Sequence, residues 1–326
     1  GDNGMKTSNA VLLSTVITLA LVAVLGGLVL GGGWWLERNA QVSLPPVAPS
    51  PHAAPAAKAE VKADAVLAPY RQRLDATRKP VAQLRLQPMA QDDRLASKVG
   101  GRPYWTADKA YPQDAHGQPL ALLAQVDLAK MPPLQGYPTH GMLQFFIGSD
   151  DFYGANFDGA TDLAALSAQR NFRVVYWPRP DASARQAEVP LPAADTLPFD
   201  PAHPRAMHFA VGEETIGSSD VHFEQALGRP LDEVAAAYAG RHALPQDDVD
   251  EALYDALNRS GHKLGGYPEF TQEDPRKPQD RQVLLLQLDS DDDMMWGDSG
   301  IANFFIDPAD LQRGDFSRVA YNWDCY

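Results

Sequence analysis

The chain has 326 residues, a formal net charge of −14 and a sequence pI near 4.9. That balance argues against nucleic acid as a partner, because phosphate binding rests on clustered Lys and Arg, and favours a self-repelling surface or a basic partner. A single cysteine, Cys325, excludes an internal disulfide, so the fold stands on its hydrophobic core.

Residues 1–9 read as a short N-terminal tail. No charged residue occurs from Thr7 to Leu36, and Val11–Leu30 reads VLLSTVITLALVAVLGGLVL. A helix of about twenty residues spans about 30 Å, the thickness of a bilayer's hydrocarbon core. Trp34 and Trp35 follow where an aromatic belt would sit, and Glu37 and Arg38 mark the return to water. The sequence therefore predicts one transmembrane anchor over residues 10–36, with the lipid bilayer as its partner. No A-x-A site closes the segment as a cleaved signal peptide would require. Lys6 on the short side favours an N-in orientation, so the expected localisation is a single pass in a bacterial inner membrane with the C-terminal domain periplasmic. Residues 37–68 are rich in Pro and Ala and read as a semi-stiff spacer.

A domain is expected over residues 69–326, led by a helix of about Tyr70–Arg78. Its most informative feature is self-similarity. KVGGRP (Lys98–Pro103) recurs as KLGGYP (Lys263–Pro268), LLAQVD (Leu122–Asp127) as LLLQLD (Leu284–Asp289), and GMLQFFI (Gly141–Ile147) as GIANFFI (Gly300–Ile306). The order is the same in both sets, which points to a duplicated unit. Each Gly-Gly-x-Pro string reads as a turn, and each apolar run as a buried strand. Between the halves, about 92–160 and 261–326, lies a helical insertion of about 225–260, with helices expected at Leu231–Tyr238 and Asp247–Asn258. The expected fold is α+β: an internally duplicated, mostly antiparallel β-sheet domain with a few helices, preceded by one transmembrane helix.

The strings KVGGRPYW, PLALLAQVDL, GMLQFFIGSDDFYG, GHKLGGYPEFTQEDPR, LLLQLDSDDDMMWGDSGIANFFI and YNWDC make the chain resemble the YwqG-like family, a domain of unknown function. The resemblance covers about Asp92 to the C-terminus. It implies a duplicated α+β fold without established catalytic residues, and a bacterial setting sometimes linked to toxins and their immunity proteins.

Gly297-Asp298-Ser299-Gly300 matches the string around the nucleophile of chymotrypsin-like proteases. No segment supplies the histidine motif, so the string reads as a turn before a strand. Asp289, Asp291 and Asp293 alternate as in a Ca²⁺ loop, but Met294 and Gly300 stand where an EF-hand needs Gly and Glu. Ca²⁺ is thus the one cofactor the sequence leaves open, against a solvated acidic turn. The eight histidines are scattered; His208 and His222 lie in strand-like strings, and His262 precedes a Gly-Gly turn. Candidate ligand- or partner-binding residues are Lys98, Trp105, Asp150, Asp151, His262, Lys263, Trp296 and Asp298, which lie at or beside Gly and Asp turns.

These features are read as a membrane-anchored, non-enzymatic protein-binding domain whose partner is a basic protein such as a toxin. The alternative is an envelope enzyme, or a ligand- or metal-binding sensor, with its pocket between the two halves.

Overall fold

The computed structural model describes residues 60–157 and 162–326, and the ten strands within them join one antiparallel sheet. In chain order they are β1 (Lys79–Pro88), β2 (Lys98–Val99), β3 (Ala121–Asp127), β4 (Met142–Ile147), β5 (Phe172–Trp177), β6 (Arg205–Glu214), β7 (Lys263–Gly265), β8 (Val283–Asp289), β9 (Ile301–Ile306) and β10 (Ala320–Asp324). Their order across the sheet is β10-β9-β8-β7-β1-β6-β2-β3-β4-β5. The long strands β1 and β6 pair at the centre from Lys79 opposite Glu214 to Pro88 opposite Arg205. Outward from this pair, β1 bonds to β7 and β6 to β2. Each leading strand therefore joins the strands of the other half of the chain rather than those that follow it. The registers correspond: β3 and β8 carry irregularities at Leu122/Ala124 and Leu284/Leu286, and Gln125 faces Gln144 as Gln287 faces Asn303.

Strands β3, β4, β8 and β9 are buried on both faces, which is why they read as continuous apolar runs rather than alternating ones. Leu123, Phe145 and Ile147 share one core with Leu285, Phe304 and Ile306. On the opposite face of β3 and β4, Leu122, Met142 and Phe146 lie under Tyr104, Trp105 and Trp177. Leu284 and Phe305 lie under Phe270, Leu163 and Leu166.

Because both halves bury their inner faces against each other, the sheet curls and its edge strands meet. Phe172 of β5 and Tyr321 of β10 pack edge to face, 5.2 Å between centroids. The Tyr321 hydroxyl donates to Tyr153 O at 3.1 Å, and Trp323 Nε1 donates to Phe152 O at 2.7 Å. Gln169 donates to Phe316 O and accepts from Val174 N–H, both at 2.9 Å. Side chains close this seam where no backbone ladder does. The expected α+β class is accordingly corrected to a near-closed, barrel-like antiparallel sheet of ten strands with few helices. The two sets of strands form one sheet around one core, which the local strings could not reveal. Among the described residues no helix is long and apolar enough to cross a membrane; the span expected at 10–36 lies outside them.

The helices are α1 (Ala63–Leu67), α2 (Arg71–Asp75), α3 (Leu163–Leu166), α4 (Phe223–Leu227), α5 (Leu231–His242), α6 (Gln246–Leu257) and α7 (Pro308–Gln312). The helix expected at Tyr70–Arg78 is shorter, since Lys79 and Pro80 already belong to β1. In α6, Val249, Leu253 and Leu257 recur every four residues and form the buried stripe, while Asp247 and Asp248 suit the positive end of the helix dipole. That stripe packs with Val234, Ala235 and Ala239 of α5, Phe223 and Leu227 of α4, and Val66, Leu67 and Leu74 of α1 and α2 in a second, smaller core.

Each half contains a buried polar rung. Lys98, Gln125 and Gln144 align across β2, β3 and β4, and Lys263, Gln287 and Asn303 across β7, β8 and β9; all six are fully buried. Gln125 Nε2 donates to Arg94 O and Ala96 O at 2.8 Å, and Gln287 Nε2 to Arg259 O and Gly261 O at 2.9 Å. Gln125 Oε1 accepts from Tyr104 N–H at 3.1 Å, as Gln287 Oε1 does from Glu269 N–H at 2.8 Å. Gln144 closes the first set on Tyr104 O and Asn303 the second on Glu269 O. The ammonium of Lys98 donates to the Asp92 carboxylate, to Asp93 O at 2.8 Å and to Arg102 O at 2.6 Å. That of Lys263 donates to Glu214 Oε1 at 3.0 Å. Burial lowers the pKa of both lysines, and the paired carboxylates oppose that shift.

The Gly-Gly turns follow from these pairs. Gly101 and Gly266 have φ of +74° and +66°, and a Cβ on either would run into the carboxylate of Asp92 or Glu214. The same carboxylates accept from Arg102 N–H at 2.7 Å and Tyr267 N–H at 2.6 Å. Gly101→Ala and Gly266→Ala should each destabilise the protein by about 1–3 kcal/mol in denaturant unfolding. Gly117→Ala, with φ of +79° but open space around it, should cost only about 1 kcal/mol. Equal losses at all three sites would show that the carboxylates do not dictate the glycines.

Candidate functional site

The end of β8 and the loop after it carry the three aspartates expected to hold a metal, but other groups occupy them. Asp289 Oδ2 accepts from Gly261 N–H at 2.7 Å, and Asp289 Oδ1 from Ser290 N–H at 2.7 Å. Asp291 Oδ2 accepts from Arg205 Nη1 at 2.7 Å and lies 2.8 Å from His262 Nε2. Asp289 N–H points at His262 Nδ1 at 3.0 Å, which makes Nδ1 the acceptor and places the proton on Nε2, facing Asp291. Asp293 is mostly exposed, 3.9 Å from Arg205. Among the described residues, no group of three or more His, Cys, Asp or Glu side chains could hold a metal ion. Burial disfavours the charged form of Asp291, but hydrogen bonds from His262 and Arg205 outweigh it and hold its pKa well below the usual carboxylate range.

The other expected site residues do not converge on one pocket. Lys98 and Lys263 serve the buried rungs, and Trp105 packs against Phe146 and Trp177. Asp150 is a turn residue whose Oδ1 accepts from Phe152 N–H and Gly154 N–H, and Asp151 is exposed beside it. Trp296 is fully buried in the shared core. Ser299 Oγ faces Met295 Sδ at 3.9 Å rather than a histidine. His208 lies on β6 as expected of a strand residue; His222 instead precedes α4, beside Asp220. Asp298 is exposed, and its carbonyl accepts from Tyr326 N–H at 3.2 Å.

Two features escaped the sequence reading. One is a cavity of about 490 Å³ between the start of β1, α4 and the segment leading into β8. Lys79 lines it, with Nζ 3.9 Å from the centroid of the Tyr267 ring. Burial lowers the Lys79 pKa to about 8, partly opposed by Asp220. Asp220 on the same wall is taken by Arg276 Nη2 at 2.8 Å and by His222 N–H at 2.9 Å. No short motif marks Lys79; its surroundings come from segments far apart in the chain.

The other is the outer face of α6. The connection from β1 to β2 spans only residues 89–97, whereas that from β6 to β7 spans 215–262 and carries α4, α5 and α6. The sheet's symmetry does not require this insertion. Asp247, Asp250 and Asp255 are exposed on α6, and Tyr254 among them is 53 % exposed. Tyr254 interacts with Tyr326, itself 72 % exposed, and this contact is the first cause of its raised phenol pKa, ahead of burial.

Fold and surface together define a barrel-like β-domain with exchanged leading strands and an acidic helical insertion. The chain belongs to the family described as Domain of unknown function (DUF1963), whose model matches residues 97–325. The match takes in β2 to β10 and begins after β1, the strand that pairs with both β6 and β7. No curated protein matches the sequence.

Because the folded pKa of Asp291 is depressed, its contribution is present above the unfolded value near pH 3.9 and is lost as pH falls through the folded value. Asp291→Asn should therefore lower stability by about 1–3 kcal/mol at pH 7. The gap to wild type should narrow below about pH 4, and unfolding curves at both pH values check this.

Proposed function

We propose that the chain is a non-enzymatic protein-binding domain and that the outer face of α6 receives a basic protein. The observation that carries this reading is the exposed Tyr254–Tyr326 pair set among Asp247, Asp250 and Asp255. A large aromatic ring left in water is costly alone but serves as an anchor once a partner covers it. Surrounding carboxylates attract a basic partner over a Debye length of about 10 Å and reject acidic ones. The overall charge of −14 acts in the same direction. The resemblance to YwqG-like proteins adds the partner class, a toxin held inactive by its immunity protein.

The full-length tagged chain should retain a basic protein in stoichiometric amount, with an association rate that falls steeply as salt rises. Tyr254→Ala should weaken binding by about thirtyfold, the effect of losing one anchor residue. Asp250→Lys with Asp255→Lys should slow association and flatten its salt dependence, while thermal unfolding stays unchanged. A partner held equally well by all three chains would place the interface elsewhere.

A further inference from the structure

We propose that the cavity between β1 and α4 takes a small carbonyl compound, which Lys79 holds as an imine on Nζ. This goes beyond the binding face on α6 and does not depend on it. Three observations carry the inference. First, Lys79 Nζ lines a cavity of about 490 Å³, room enough for a small organic molecule. Second, the amine has no hydrogen-bond acceptor among the described residues; its one close contact is the face of Tyr267. The carboxylates around it are already committed: Asp220 to Arg276 and His222, Glu214 to Lys263 and Tyr267 N–H, and Asp280, at the rim, to Lys277 N–H. Third, Ile216, Ala226, Val283 and the Tyr267 ring form an apolar wall beside the charged groups of the cavity, against which the carbon chain of an organic ligand can pack.

The other lysines described differ. Lys98 and Lys263 are fully buried and bonded, and Lys62, Lys109, Lys130 and Lys277 are exposed. The charged groups that act on Lys79 are Asp220, Glu214, Arg276 and Lys263, while His222, Asp280 and Arg281 also line the cavity. Burial outweighs the carboxylates in that set and lowers the amine pKa to about 8. At pH 7 this raises the fraction of free amine on the order of a hundredfold over an ordinary lysine.

In the reaction, the Lys79 nitrogen lone pair forms a C–N bond to the carbonyl carbon as the C=O π bond breaks. Protons pass from nitrogen to oxygen, and one water leaves to give the imine.

The test uses the full-length protein, butanal in limiting amount and sodium cyanoborohydride, whose hydride fixes the imine as a secondary amine; mass-spectrometric peptide mapping locates the adduct. At pH 7, Lys79 should be alkylated at least about tenfold faster than Lys62, Lys109, Lys130 or Lys277. The preference should shrink towards parity by pH 10.5, where ordinary lysines also lose their protons. Ala226→Leu keeps the amine but fills the cavity, and should cut labelling of Lys79 severalfold with an unchanged circular dichroism spectrum. Labelling of the exposed lysines first at pH 7, or a Lys79 preference that ignores pH, overturns the proposal. So does full Lys79 reactivity in a folded Ala226→Leu chain. The wild-type pH profile decides the matter even if that variant does not fold.

Discussion

A lysine ammonium removed from water costs several kcal/mol unless a partner meets it, and this fold buries two of them, Lys98 and Lys263, at corresponding positions. Each needs a carboxylate delivered to it inside the sheet. Glu214, the last residue of β6, reaches Lys263 of β7, and Asp92, just beyond β1, reaches Lys98 of β2. Each carboxylate in turn needs the backbone to pass close by, which only glycine permits at Gly101 and Gly266. Removing one partner would leave an uncompensated charge in the interior, so the lysine, the acid and the glycine form a single requirement. The glutamine of each rung extends that requirement to the neighbouring loops.

The exchange of β1 and β6 ties these two requirements together. Because β1 lies between β6 and β7, and β6 between β1 and β2, neither set of outer strands has its full complement of ladder partners without the other half. The same geometry makes both apolar inner faces available to one core, and that core curls the sheet until β5 and β10 meet across Tyr321, Phe172 and Gln169. The largest helical addition lies outside this sheet. The chain makes that addition once, between β6 and β7, where the helices carry their own core and turn an acidic face with the exposed Tyr254 outward.

Much of the sheet was legible in the sequence because β3, β4, β8 and β9 are buried on both faces and read as apolar runs. The leading strands carry a weaker signal. KPVAQLRLQP and RAMHFAVGEE mix polar and apolar residues, and their mutual pairing links residues more than a hundred positions apart, which no local pattern records. The site was legible only in part. Asp289, Asp291 and Asp293 look like metal ligands in sequence, yet the first is consumed by backbone N–H groups and the second by Arg205, which is 86 residues away. The Gly-Gly strings were legible as turns, but not the reason for them, since their glycines answer to Asp92 and Glu214. Tyr254 was hidden within an ordinary amphipathic helix, since sequence alone does not tell which aromatic ring faces water.

Native-state hydrogen exchange on the full-length chain tests the strand exchange most directly. If β1 and β6 lock both halves into one unit, their paired amides should exchange only through global unfolding, and β3–β4 and β8–β9 should open at that same free energy. Exchange of one set of outer strands at a clearly lower free energy, while the other stays protected, would contradict the account and show two halves that fold independently.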